Sequence, residues 1–205
     1  MSVPHAATAT PAFPTHLPAQ VPQFPPSLGG NLCRWLLRSG GWRFAGELPD
    51  VPKLVLIAAP HSSNWDGIFG LLFKVALRLD IRFVGKREVF FWPLGALLRR
   101  LGGIPIDRHA AHDLVAQIAG EFAKRERLWF GLAPEGTRKK VKKWKSGFWH
   151  IARAAQVPIL PAYFHYPDKT IGVGPLLVPS DSYEVDMAKL RAFYAPIRGK
   201  NHNVE

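Results

Sequence analysis

Lys53-Leu-Val-Leu-Ile-Ala-Ala-Pro-His61-Ser-Ser-Asn-Trp-Asp66 changes character midway. The first seven residues are an apolar run bounded by Pro52 and Pro60, and this suits a buried strand. From Asn64 onward the pattern switches to a helical period, with Ile68, Leu71, Leu72, Val75 and Leu79 on one face. A buried strand, a tight polar turn and an amphipathic helix make the opening unit of an α/β domain. In such domains functional side chains gather at the carboxyl ends of the strands. The turn here carries His61 and Asp66. Folded back across the turn, the carboxylate holds one ring nitrogen and leaves the other to accept a proton. The competing reading is a helix cap by Asn64 or Asp66 beside an uninvolved histidine. Ser62 and Ser63 lie next to His61 without a Gly-x-Ser-x-Gly elbow. The pattern therefore points to a base whose substrate brings the nucleophile.

Further along, the same alternation continues. Short strands are expected at 81–84, 103–106, 128–133 and 157–164, and helices at 112–125 and 147–155. Phe90 to Leu101 is strongly apolar and ends in Arg99 and Arg100. The fold expected is a single α/β domain with a mixed or mainly parallel sheet flanked by helices. Upstream, 31–44 reads as a short basic helix bearing Trp35, stopped at Gly40-Gly41. Residues 1–27 hold seven prolines and no Asp, Glu, Lys or Arg, and they read as a flexible tail ahead of a domain spanning 28–205.

The chain has 205 residues, 47% of them hydrophobic, which is enough for one well-formed core and excludes global disorder. Lys and Arg number 27 against 15 Asp and Glu, a net charge of +12 that favours an anionic partner. A lone cysteine, Cys33, excludes an internal disulfide and fits a reducing compartment. No apolar run is long enough to span a bilayer, and the amino terminus lacks the form of a secretory signal. The expected location is cytoplasmic, peripheral on a membrane surface.

Two other stretches place charge beyond strand ends. Pro134-Glu135-Gly136-Thr137-Arg138 follows the strand LWFGLA, and six cations occupy the eight positions from Arg138 to Lys145. Glu135 is an anionic acceptor, Gly136 permits close backbone approach, and Arg138 can grip a phosphate with two N–H groups. The second stretch pairs Lys86-Arg87-Glu88 with Gly102-Gly-Ile-Pro-Ile-Asp107-Arg108. A basic nucleic-acid-binding or membrane-binding module without catalysis accounts for the charge, but leaves the His/Asp turn without a role.

These blocks, with Val157-Pro-Ile-Leu-Pro161, come in the order and spacing of the glycerolipid acyltransferases. Over roughly 44–166 the chain resembles the lysophosphatidic acid (1-acylglycerol-3-phosphate) acyltransferase family. Two positions depart from its pattern: Pro60 stands where an Asn is frequent, and Lys139 where a Ser is frequent. The resemblance implies His61 as general base oriented by Asp66. It implies that Arg108, Glu135, Gly136, Thr137 and Arg138 hold the acceptor's phosphate; Lys86 and Arg87, cations just beyond a short strand, are further candidate substrate-binding residues by position alone. Pro158 and Pro161 would bind the acyl donor or shape the site. The implied reaction moves a fatty acyl group from acyl-CoA or acyl-carrier protein to a lysophospholipid-like hydroxyl. It needs neither metal nor cofactor, and no nucleic acid is expected as partner.

Overall fold

The structure, a computed structural model, describes residues 13–106 and 111–204. The described elements in chain order are α1 (Leu28–Ser39), β1 (Arg43–Ala45), β2 (Lys53–Ala58), α2 (Asn64–Ala76), β3 (Ile81–Lys86), a 3₁₀ turn (Arg87–Val89), α3 (Leu94–Arg100), β4 (Gly103–Ile106), α4 (Ala111–Lys124), β5 (Leu128–Leu132), α5 (Gly147–Ala155), β6 (Ile159–His165), β7 (Thr170–Val173) and α6 (Tyr183–Tyr194).

The strands form one sheet in the order β1-β7-β6-β2-β5-β3-β4. Every neighbouring pair is parallel except β6 with β7, so the sheet is mixed and mainly parallel, as expected. Alternate residues of the central strands point to opposite faces, and each face is buried. Val55, Ile57, Phe130 and Ile159 belong to a core shared with Ile118 and Phe122 of α4, Ile151 of α5 and Leu190 of α6. Leu54, Trp129 and Leu160 belong to a second core with Leu37 of α1 and Phe73 of α2. That double burial explains why 53–59 reads as a continuous apolar run.

Within the stretch read as a flexible tail, residues 13–27 make contacts with the domain. The side chain of Val21 is fully buried in the second core, and Phe13 stacks on Phe73 with ring centroids 5.4 Å apart. Phe24 N–H donates to the Arg78 carbonyl, and Asp80 N–H to the Pro22 carbonyl. Gln20 N–H donates to Asp50 Oδ1. Prolines bring no N–H to satisfy, so an extended Pro-rich segment can lie on a domain with few backbone bonds. Residues 1–12 of that expected tail lie outside the described residues.

One boundary also shifts, and the apolar stretch before β4 is helical only in part. The apolar stretch 90–101 becomes helical only at Leu94, because Pro93 cannot sit inside a helix. The helix after the His/Asp turn ends at Ala76 rather than Leu79, where Arg78 takes φ +60°.

Candidate active site

Because β2 lies between β5 and β6 and runs parallel to both, three carboxyl ends converge on one edge of the sheet. β2 delivers the turn from His61 to Asp66, β5 delivers Glu135, and β6 delivers His165 and Tyr166.

The turn is built on Asp66. Ser63 is the N-cap of α2, its hydroxyl accepting from Trp65 N–H, and Asp66 is the third helical residue of a capping box. Asp66 Oδ2 accepts from the N–H groups of Ser62 and Ser63, both at 2.7 Å. Its other oxygen accepts from the Tyr166 hydroxyl. Asp66 is almost wholly buried, so these donors offset the loss of water. His61 Nδ1 lies 3.7 Å from Asp66 Oδ2, in ion-pair range and longer than a hydrogen bond. The capping role and the His-facing role thus coincide in one carboxylate.

His61 is fixed from its backbone. Its N–H donates to Glu135 Oε2 at 2.7 Å, which joins two stretches 74 residues apart. Burial lowers the His61 pKa below the ordinary histidine value; Asp66 opposes the shift, while Arg138 and His202 add to it. Burial also raises Glu135, to about 7, against the opposing His61 N–H bond and His202; Asp66 adds to the rise. Gly136 follows at φ +63°, and a Cβ there would come within 3.0–3.3 Å of the Lys145 side chain. Only a residue without a Cβ adopts that turn comfortably. Thr137 Oγ1 accepts from Lys139 N–H.

Beside the turn opens a cleft of about 500 Å³ lined by Ser62, Ser63, Asn64, Trp65, Arg138, Lys200 and Asn201. Its charged members are both cationic. Lys200 lies over the Trp65 ring, Nζ 5.0 Å from the centroid.

His61, Asp66 and Glu135 are therefore brought together, with Gly136 and Thr137 in the adjoining loop and Arg138 in the cleft wall. Arg87 is exposed at the start of the 3₁₀ turn and does not line this cleft. Arg108 and the side chain of Lys86 lie outside the described residues. Pro161 sits within β6, paired with Ile57, and Pro158 just precedes that strand, its carbonyl accepting from Val55 N–H. Ser62 is buried, and its hydroxyl accepts from the N–H groups of Lys200 and Asn201, so it is structural and not a free nucleophile. Tyr166, Lys200, Asn201 and His202 were not legible in advance as a group. No local pattern marks them, and each meets the turn or its neighbour from a distant part of the chain. Among the described residues, no cluster of three or more His, Cys, Asp or Glu could hold a metal ion.

Known proteins resemble this chain in sequence and in fold. The chain is 38% identical over 110 residues to the 1-acyl-sn-glycerol-3-phosphate acyltransferase of Escherichia coli (strain K12), a match covering 50% of this chain and 43% of that enzyme. It is 30% identical over 149 residues to the human 1-acyl-sn-glycerol-3-phosphate acyltransferase beta, covering 65% of this chain and 52% of that one. The matched stretch thus spans about half the length of these relatives or less. The crystal structure of the 1-acyl-sn-glycerophosphate (LPA) acyltransferase PlsC from Thermotoga maritima superposes with a TM-score of 0.54 at 15% identity, over 82% of this chain and 78% of that one, which establishes a shared fold. A family model described as Acyltransferase matches residues 47–165. That match takes in more than half of the 205 residues, and the chain belongs to the acyltransferase family.

Proposed function

We propose that this chain transfers a fatty acyl group from an acyl thioester, acyl-CoA or acyl-carrier protein, to the free hydroxyl of a 1-acylglycerol-3-phosphate-type lysophospholipid. The observation that carries this reading is the His61–Asp66 pair at the carboxyl end of β2, its backbone tied to Glu135 and its flank open to a cationic cleft. The names of the relatives supply the acceptor class.

In this reading His61 is the general base. Its lowered pKa keeps the imidazole neutral near pH 7, ready to accept a proton. Asp66 faces Nδ1, which leaves Nε2 for the acceptor hydroxyl. As the hydroxyl gives its proton to Nε2, its oxygen bonds to the thioester carbonyl carbon. The carbon–sulfur bond then breaks, and the departing thiolate takes the proton from His61. No acyl-enzyme forms, in keeping with a Ser62 hydroxyl that is buried and accepts from two backbone N–H groups. Arg138 holds the acceptor's phosphate, and Glu135 acts by pinning the His61 backbone rather than by touching substrate. Lys86, Arg87 and Arg108 remain proposed substrate cations.

The proposed acyltransferase domain spans 28–205, and 13–27 touch it. The exposed apolar residues of α1 and the stretch Phe91–Trp92 suit a peripheral seat on an anionic membrane. Among the described residues, no helix is long and apolar enough to cross one.

The test is acceptor-dependent thiol release from palmitoyl-CoA with the wild type and His61→Ala. The variant should keep its circular-dichroism spectrum and lose about 10²- to 10⁴-fold in rate. Near-normal turnover in His61→Ala would remove His61 as the base.

A further inference from the structure

The turn formed by residues 198–203 follows α6 and lies beyond the 47–165 stretch matched to the family. It is nevertheless seated against the His61 turn at many points. The Lys200 and Asn201 N–H groups donate to Ser62 Oγ at 3.0 and 3.2 Å, and Asn201 Nδ2 donates to the Ser62 carbonyl at 2.7 Å. Arg198 N–H donates to His165 Nδ1, and the Arg198 carbonyl accepts from Tyr166 N–H. His202 Nε2 lies 3.1 Å from the Arg138 carbonyl oxygen, so the same turn also reaches the loop after Glu135. Gly199 N–H donates to Asn203 Oδ1, closing the turn on itself. Gly199 is the point of closest approach: a Cβ there would lie 2.8 Å from Pro60 Cγ and 3.0 Å from Ser62 Oγ.

This anchoring fixes the backbone of Lys200 while its side chain projects into the cleft. Trp65 supports the ammonium group from one side through its ring face. Among the described residues no acidic side chain lines the cleft beside its two cations.

We propose that Lys200 is a substrate-binding residue that works with Arg138 to hold the phosphate monoester of the acceptor, and that the 198–203 turn is the device that positions it. The proposal rests on the acceptor class given above. A lysine head offers three rotatable donors without a fixed fork, which complements the bidentate grip of an arginine on one phosphate.

Equilibrium binding to the full chain tests this without requiring turnover. The ligands are a short-chain 1-acylglycerol-3-phosphate, the monoacylglycerol of the same chain length, and CoA. The proteins are the wild type, Lys200→Met and Lys200→Arg. The wild type should favour the phosphate-bearing lipid over the neutral one. Lys200→Met, which keeps the apolar stem, should lose about tenfold or more of that preference, and Lys200→Arg should retain most of it. CoA affinity should be the same in all three proteins. Full preference in Lys200→Met overturns the role of Lys200 and leaves the acceptor class standing. Weakening confined to CoA moves the cation to the donor and overturns the acceptor assignment of Lys200. A wild type with no preference for the phosphate overturns the acceptor class, and Lys200's role with it.

Discussion

Glu135 is a carboxyl group only 4% exposed, and its folded pKa is raised to about 7 from the ordinary 4.5. A group raised on folding contributes stability that is complete below its unfolded pKa and is lost as pH rises through its folded pKa. Glu135 should therefore cost the protein on the order of 3 kcal/mol between about pH 4.5 and 7, with little further change above. Thermal unfolding of wild type and Glu135→Gln across that window checks this. The variant's Tm should gain on the wild type's as pH rises, because the amide keeps an acceptor for His61 N–H and carries no proton to lose. His61 has the opposite sign, its pKa being lowered by burial, so the acid limb of kcat/KM should lie below pH 6.5. Tyr166→Phe should cost about 1–3 kcal/mol, since it removes the donor to one buried oxygen of Asp66. A smaller drop in Tm-derived stability would mean that oxygen finds another donor. His61, Asp66 and Glu135 were legible because each sits in a short block next to a strand end. Tyr166 was not, because its partner is 100 residues away and nothing local to it signals that contact.

At the scale of elements, the strands and helices with strong periodicity were legible between 53 and 165. β1, β7 and α6 were not. β1 has three residues and β7 four, too few to show alternation, and the apolar positions of α6 form no clear stripe in sequence. The end of α2 was misplaced because Arg78 interrupts a pattern that continues beyond it. The docked segment 13–27 was hidden for a different reason: its fold comes from contacts with α2 and the residues after it, not from its own propensity. Substituting Gly199 by Ala tests the turn after α6. The added methyl meets the His202 carbonyl oxygen, Pro60 and Ser62, so the turn must lift from the His61 loop. Overpacking of this kind costs about 1–3 kcal/mol. Acceptor KM should rise while the far-ultraviolet spectrum stays the same; wild-type KM in Gly199→Ala would show that the turn shifts without consequence for the site.

The whole molecule carries a net charge of +12 and leaves large apolar side chains in solvent on α1, where Leu28, Leu32, Trp35 and Leu36 are 44–88% exposed. Charge and apolar surface together favour an anionic bilayer, one through screened attraction and the other through burial. Replacing Leu32 and Trp35 by Ser should weaken sedimentation with phosphatidylglycerol vesicles by about tenfold or more, and added salt should weaken the wild type too. Vesicle binding unchanged by the double substitution would place the membrane seat elsewhere, with Phe91 and Trp92 the next face to test.

The seating of the 198–203 turn on Ser62 also bears on when the enzyme can first work. Ser62 and Asn201 are 139 positions apart, and contacts of that span form only after the chain between them has been made and gathered in. A growing polypeptide that has left the ribosome as far as Ile197 holds His61, Asp66 and Glu135 but has nothing to seat Lys200 against the cleft. The cationic wall of the cleft is then complete only after the residues through Asn203 have emerged and folded back onto Ser62.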